Sequence, residues 1–303
     1  MNWDNYTCDG QMSIFDLMHE QEKIDKPIRL IELFAGVGSQ AMALRNIGAN
    51  FEHYRVVEFD KYAVASYNAI HGTGFEPSDI RQVNGYDLGI MDTDRYTYIM
   101  TYSFPCQDLS VAGKMRGMEK GSGTRSSLLF EVERLLNEVE ELPQILLMEN
   151  VPQVISKKNE KAFGEWKTAL EWKGYRNYIQ ILNAKDYGVA QSRKRCFMVS
   201  ILGESHYQFP KPIPLEKCMA DYLEENVDEK FYVASEKAKD LINKLIVGGK
   251  ILGGGQTGIE LSVKPKVIDR ANSLMAREDR GISCIPRQGN GVCECTRITS
   301  AGS

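Results

Sequence analysis

The chain has 303 residues, 43% hydrophobic and 26% charged, enough for one large buried core or two modest ones. No apolar run approaches the roughly 20 residues a bilayer-spanning helix needs, and the N-terminus lacks the basic start, apolar stretch and small-residue cleavage site of a secretory leader. A formal charge of −4, from 37 basic and 41 acidic residues, excludes a globally basic nucleic-acid coat but leaves room for a locally basic cleft. Seven cysteines without a paired CxxC, and only four histidines, point to reduced thiols in the cytoplasm and to no metal site.

Residues 1–26 are polar and read as a flexible, exposed leader. From Ile28 the pattern changes: IRLIELF (28–34) is a β-rich run that stops at Ala35-Gly36-Val37-Gly38, and Ala41, Leu44 and Ile47 predict a helix ending at Gly48. HYRVVEF (53–59) reads as a second strand, followed by a helix through Ala63, Tyr67 and Ile70 that stops at Gly72. YTYIMTYS (96–103) is a third strand, and residues 107–126, with Gly113, Gly117, Gly121 and Gly123, form a long loop without periodicity. Leu128, Leu129, Val132, Leu135, Leu136 and Val139 mark one face of an amphipathic helix. QILLMEN (144–150) is a buried-type strand and 159–173 a helix, while YRNYIQILN and RCFMVSIL close the alternation as an antiparallel end. The whole predicts an α/β domain over 27–210, a mostly parallel twisted sheet with helices on both faces. Beyond it PKPIPLEK reads as a linker, 238–246 as a short helix, and the six glycines of 248–258 as turns.

Four constellations carry chemistry. The first is the strand–Ala35-Gly36-Val37-Gly38–helix turn, where glycines let the backbone approach a ligand and the following helix offers unpaired amides. Glu58 ends the second strand, where a carboxylate can accept both hydroxyls of a ribose, and Asp79 lies near the end of the next unit. A glycine turn with two surface acids is the plain alternative. The shared location at carboxyl strand edges favours a nucleoside cofactor, and the missing GxGxxG argues against a nicotinamide dinucleotide.

The second is Phe104-Pro105-Cys106-Gln107. Most cysteines are small packing residues, but here proline fixes the entry, a strand end aims Cys106 at the cleft, and a glycine-rich loop follows, a setting that suits a thiolate nucleophile. That loop carries Lys114, Arg116, Lys120 and Arg125 against Glu119, either a solvated basic loop or a lid closing on phosphates. The third is Glu149-Asn150-Val151-Pro152: burial at a strand tip raises an acid's pKa and equips it as a proton donor, a loop-capping acid being the alternative. The fourth is Gln191-Ser192-Arg193-Lys194-Arg195, whose alternation sends Arg193 and Arg195 to one side; a solvated basic face is the plain reading.

In this order the motifs resemble those of the DNA (cytosine-5) methyltransferase family, over about residues 28–202. ELFAGVGS (32–39) is similar to the family's S-adenosyl-L-methionine loop, which implies cofactor contacts from Phe34, Ala35, Gly36 and Gly38, with Pro105 nearby. Glu58 matches the ribose-binding acid and Asp79-Ile80 the adenine-contacting pair. FPCQ resembles the nucleophile motif, Arg125 to Phe130 the motif after the catalytic loop, and ENV (149–151) and QSRKR (191–195) the two motifs that grip the target cytosine. Ser103 stands where many members have glycine. The resemblance implies a Rossmann-like adenosylmethionine fold and a cytosine flipped out of duplex DNA, in a restriction–modification or mobile-element setting. It further implies Cys106 attacking C6, Glu149 serving N3, Arg195 holding O2 and Arg193 steadying the loop, with DNA contacts from Gln107, Ser110, Lys114, Arg116, Arg125 and Gln191.

The family continues into a variable target-recognition lobe and a closing helix with a Gly-Asn-x-Val signature. Residues 270–283 resemble the end of such a lobe, whereas Gly289-Asn290-Gly291-Val292 is followed by only eleven residues and is taken as a chance match. The expectation is a partial target-recognition region over 211–303, a second polypeptide completing the fold, and weak activity for this chain alone. A non-catalytic DNA- or partner-binding relative and an RNA cytosine-5 methyltransferase are the alternatives. Gln11-Met12-Ser13-Ile14-Phe15 resembles the pentapeptide with which bacterial proteins dock on the replication sliding clamp, though Ile14, Phe15, Leu17 and Met18 also fit a short helix packed on the body.

Overall fold

The computed structural model describes residues 24–106, 125–222 and 236–250, with strand segments at 255–261, 266–267, 271–272 and 289–295. The chain divides into two compact units: Met1–Ile181 with Arg195–Pro210, and Leu182–Lys194 with Lys211–Ser303. The segment Leu182–Lys194 thus groups with the second unit, a partition that the linear division at 210/211 did not draw. Among the described residues no helix is long and apolar enough to cross a membrane.

In chain order the elements up to Leu202 are β1 (Ile28–Leu33), α1 (Ser39–Asn46), β2 (Phe51–Val57), α2 (Lys61–His71), β3 (Thr97–Tyr102), α3 (Leu129–Glu138), β4 (Ile145–Asn150), α4 (Glu160–Trp172), β5 (Tyr175–Asn183), β6 (Gln191–Ser192) and β7 (Lys194–Leu202). Six strands form one sheet in the order β2-β1-β3-β4-β7-β5. The β1–β2, β1–β3 and β3–β4 pairs are parallel, and β7 runs antiparallel to β4, from Ile145↔Ile201 to Asn150↔Cys196. The alternation read from the sequence, including its antiparallel end, is therefore present.

Local chemistry explains these elements. Every residue of β3 is buried, as expected of a strand covered on both faces. Asp60 caps α2 by accepting from the Tyr62 and Ala63 amides, and Gly72 ends that helix in a left-handed conformation that costs glycine nothing. Alternate residues of β1 enter different cores: Ile28 and Leu30 pack with Ala41 of α1, whereas Ile31 and Leu33 join Leu135 of α3 and Trp166 of α4. The Trp166 indole donates to the Tyr102 hydroxyl at 3.2 Å, so the largest buried side chain of α4 also satisfies its polar atom on the sheet.

The strand order places the ligand crevice. From β1 the chain steps to β2 on one side and later returns to β3 on the other, so the loops leaving β1 and β3 diverge at their carboxyl ends. Ligands bind at such a switch point in open α/β sheets.

In the second unit α5 (Glu236–Val247) covers the expected short helix. β6 pairs in parallel with β10 (Ala271–Asn272), and β8 (Gly255–Leu261) lies between β9 (Lys266–Val267) and β11 (Gly289–Cys295). This corrects the sequence reading at one point: Gly255 and Gly258 belong to a strand rather than to turns, because β11 supplies a distant ladder partner. The Gly289–Val292 letters fall in that partner strand, so they mark no helix.

Candidate active site

The cofactor end of the crevice is a turn with three left-handed residues in five: Phe34 (φ 58°), Gly36 (φ 56°) and Gly38 (φ 78°). For glycine this is free; for Phe34 it is strained, and the Phe34 amide donating to the Val57 carbonyl at 2.7 Å holds it there. The Glu58 carboxylate is gripped from two sides, receiving the Gly36 amide at 2.9 Å on one oxygen and the Asp60 amide at 2.9 Å on the other. Its side chain is thereby fixed in orientation while each oxygen keeps a second acceptor position. Ser78 donates its amide to the Glu58 carbonyl at 2.8 Å, which brings the segment with Asp79 and Ile80 alongside. Asp79 accepts from the Arg81 guanidinium, and this pairing holds its carboxyl below the usual range. Ile80 is buried among the core residues, and its carbonyl accepts from the Arg134 guanidinium at 2.9 Å. Two aromatics that sequence reasoning missed follow Glu58 in the chain: Phe59 and Tyr62 are each 73% exposed.

The other end of the crevice begins where Tyr102 pairs with Leu33 across β3 and β1. Three side chains then shape the Phe-Pro-Cys turn. Asn150 donates its amide to the Phe104 carbonyl at 2.9 Å, Ser126 its hydroxyl to the Pro105 carbonyl at 2.8 Å, and Gln40 its amide to the Ser103 hydroxyl at 3.2 Å. Cys106, partly exposed, follows directly. Ser103 is therefore a junction: its hydroxyl ties the end of β3 to the first turn of α1.

Glu149 stands one residue before Asn150 on β4, with Phe197 of β7 opposite. Its carboxylate contacts the Arg195 guanidinium, Nε to Oε1 at 2.9 Å, with the two side chains 19% and 23% exposed respectively for Arg195 and Glu149. The acid read from the sequence as buried at a strand tip is partly exposed here and ion-paired. Cys196, opposite Asn150 on β7, has its thiol pushed up to about 11 by burial and then by the nearby Glu149 charge. Of the two described sulfurs near this edge, Cys106 is the accessible one and Cys196 is buried.

The remaining sequence candidates fall elsewhere. Gln107, Ser110, Lys114 and Arg116 lie outside the described residues, and Arg125 opens the 3-10 turn Arg125–Leu128. Gln191 and Arg193 belong to the second unit, where the Ala184 amide donates to the Arg193 carbonyl at 3.0 Å and closes the 184–193 loop. Gln191, Arg193 and Arg195 are half-buried while Ser192 and Lys194 are exposed, the alternation read from the sequence. The signal for Asn150 was present in the ENV triplet, but its clasp on the Phe104 carbonyl needs a contact between strands that no local pattern carries.

Comparison with known proteins gives the chain its relatives. Residues 28–273 match the family described as C-5 cytosine-specific DNA methylase. Orphan methyltransferase M.SssI of Spiroplasma monobiae is 34% identical over 283 residues, covering 76% of this chain and 71% of the relative. Type II methyltransferase M.HhaI of Haemophilus parahaemolyticus is 34% identical over 222 residues, covering 72% and 64%. Among solved structures, Schizosaccharomyces pombe Dnmt2 methyltransferase aligns with a TM-score of 0.55 at 22% identity, covering 72% of this chain and 65% of that one. The Entamoeba histolytica methyltransferase EhMeth aligns with a TM-score of 0.58 at 20% identity, covering 73% and 66%. The two structures share the fold, and this chain spans about two thirds of their length.

Proposed function

Because the chain belongs to the C-5 cytosine-specific DNA methylase family, we propose that it methylates C5 of a cytosine flipped out of duplex DNA, with Cys106 as nucleophile and Glu149 and Arg195 as the groups that grip the base. The observation that carries this reading is the 2.9 Å contact between Arg195 and Glu149 on the strand beside the Cys106 turn. Cytosine presents O2 and N3 as neighbours on one edge, and an acid touching a guanidinium is matched to that pair: Arg195 donates to O2 while Glu149 serves N3.

S-adenosyl-L-methionine, the methyl donor of this family, supplies an electrophilic methyl group when bound. The residues present fit it: Glu58 is oriented by two backbone amides with acceptor positions to spare for ribose hydroxyls, and Phe59 leaves an apolar ring open beside it. C5 of cytosine is a weak nucleophile. The Cys106 thiolate adds to C6, and the electron density arriving at N3 is met by a proton or hydrogen bond from Glu149, so C5 becomes enamine-like. After methylation a base takes the C5 proton and the Cys106 sulfur leaves from C6, restoring the ring and the thiolate. Asn150 and Ser126 contribute by fixing the two carbonyls before Cys106, which limits where its sulfur can swing.

In this reading 27–210 is the catalytic domain and 211–303 a target-recognition region, and the enzyme works in the cytoplasm in a restriction–modification or mobile-element context. Duplex DNA incubated with the purified chain and labelled adenosylmethionine gains 5-methylcytosine, measured by mass spectrometry of the digested DNA. Methylation of tRNA with none on DNA overturns the choice of substrate. Adding the product of the neighbouring gene tests whether a second polypeptide completes the enzyme. Gln11–Phe15, outside the described residues, is read as a docking peptide for a bacterial sliding clamp: a clamp pull-down is expected to be lost in Phe15→Ala, and its survival removes the idea.

A further inference from the structure

Beneath the glycine turn lies a line of polar side chains that the mechanism above does not use. Glu32 on β1 is fully buried, and its carboxylate receives the Ala41 amide at 3.4 Å and the Tyr67 hydroxyl at 2.6 Å. The Tyr67 oxygen lies 2.7 Å from His53 Nδ1; since Tyr67 gives its own proton to Glu32, His53 is the donor in that contact. The His53 and His71 rings are 4.8 Å apart, and the His71 and Tyr67 rings 4.5 Å. His71 Nε2 lies 3.1 Å from the Val37 carbonyl, which can only accept, so this nitrogen carries its proton.

The same two α2 side chains also shape the turn by volume. A Cβ on Gly38 would collide with His71 Nε2 and would sit 2.6 Å from Tyr67 Cε2. Position 38 is therefore glycine for two reasons, its φ of 78° and the two rings packed against it. Burial pushes the Glu32 carboxyl upward, with the Tyr67 and Ala41 donors opposing, and burial first, then His71 and Arg45, pushes the His53 imidazole downward. Such groups persist inside a fold when their hydrogen bonds are complete, and a complete set rigidifies what it touches.

We infer that His71 is a positioning residue for the cofactor turn: its Nε2–H holds the Val37 carbonyl and, with Tyr67, its ring fills the space beside Gly38, so that residues 34–38 keep the shape that presents the Gly36 amide to Glu58. The Glu32–Tyr67–His53 line anchors that clamp to β1 and β2. The inference rests on the reading of this turn as the adenosylmethionine cradle, and wild-type binding tests that reading separately.

The test is calorimetric titration of adenosylmethionine into wild type, His71→Leu and His71→Gln, with thermal melts, duplex-DNA affinity and steady-state kinetics on each. In His71→Leu the dissociation constant and KM for adenosylmethionine are expected to rise about ten-fold, with kcat at saturation and DNA affinity little changed. His71→Gln, whose amide can donate to the same carbonyl, is expected to restore binding to within about three-fold. A lower melting temperature with unchanged adenosylmethionine affinity makes His71 merely structural and overturns the inference. Should the leucine variant fail to fold, wild type labelled with 15N-histidine carries the test: the His71 Nε2 resonance must move on adenosylmethionine addition, and one that stays fixed while the cofactor binds sinks the idea. Wild type that binds no adenosylmethionine overturns the function reading itself, and this inference with it.

Discussion

In the proposed reading, the groups at the β1–β2 end of the crevice that face the cofactor are mostly backbone: the amides of a turn with three left-handed residues, and a Glu58 carboxylate held by the Gly36 amide of that turn and by the Asp60 amide. At the β3–β4–β7 end the reading gives that part to side chains, Cys106, Glu149 and Arg195, with Asn150 and Ser126 hydrogen-bonded to the carbonyls before Cys106. A backbone-built end is sensitive to any added atom and tolerant of side-chain identity. A side-chain-built end responds in the opposite way, keeping its shape when one functional group is removed while losing its chemistry. Gln40 to Ser103 is a side-chain hydrogen bond that joins the two ends, beside the Ser103 amide donating to the Leu33 carbonyl.

The largest expected effect breaks the side-chain end alone. Cys106→Ser abolishes methyl transfer and leaves adenosylmethionine affinity at the wild-type value, checked by activity assay and calorimetry on one preparation. Next comes Glu149→Gln, which lowers kcat by roughly 10²–10⁴-fold, the usual range for an essential proton-transfer group. A stopped-flow single-turnover assay separates that loss from slower product release. Gly38→Ala strikes the backbone end. Forcing a methyl against His71 and Tyr67 at a positive φ is expected to cost about 1–3 kcal/mol of stability, read from denaturant unfolding, and to weaken cofactor binding with kcat at saturation largely retained.

Smaller effects sharpen the boundary between the ends. Gln40→Ala and Ser103→Ala each remove the shared bond, worth about 0.5–1.5 kcal/mol. Their double mutant is expected to be no worse than either single change when transition-state energies are compared by kcat/KM; full additivity separates the two ends. The smallest is a difference in thiol reactivity. Burial and Glu149 raise the Cys196 thiol to about 11, so at pH 8 it stays protonated, and only above that value does the thiolate dominate. Iodoacetamide mapped by peptide mass spectrometry is expected to label Cys106 and spare Cys196, and equal labelling contradicts the burial of β7 at this point.

The two ends also differ in how visibly the sequence encodes them. The cofactor turn is written locally: glycines where φ is positive, an acid at the tip of the following strand, and a helix capped by Asp60 are all short-range necessities. The sheet was legible for the same reason, since β3 and β4 are compact apolar runs between helices with a 3.6-residue period. Long-range partnerships were not. Nothing near Glu149 announces that Arg195, on an antiparallel neighbour, reaches its carboxylate, so the sequence shows the strand-tip acid without its partner. Gly255 and Gly258 read as turns because their ladder partners on β11, Cys295 and Val292, lie far along the chain. His53 and His71 carried no motif at all; their role emerges only when α2 and β2 bring them under Val37.

Reaction of the purified chain with a duplex carrying 5-fluorocytosine in place of the target cytosine, in the presence of adenosylmethionine, tests the central claim most directly. Fluorine at C5 cannot be removed as a proton, so the sulfur that added to C6 stays attached. The account predicts a denaturation-resistant protein–DNA adduct whose linked peptide, by mass spectrometry, is joined through Cys106 and which disappears in Cys106→Ser. An adduct through any other residue, or a methylated product from the Cys106→Ser enzyme, would contradict it.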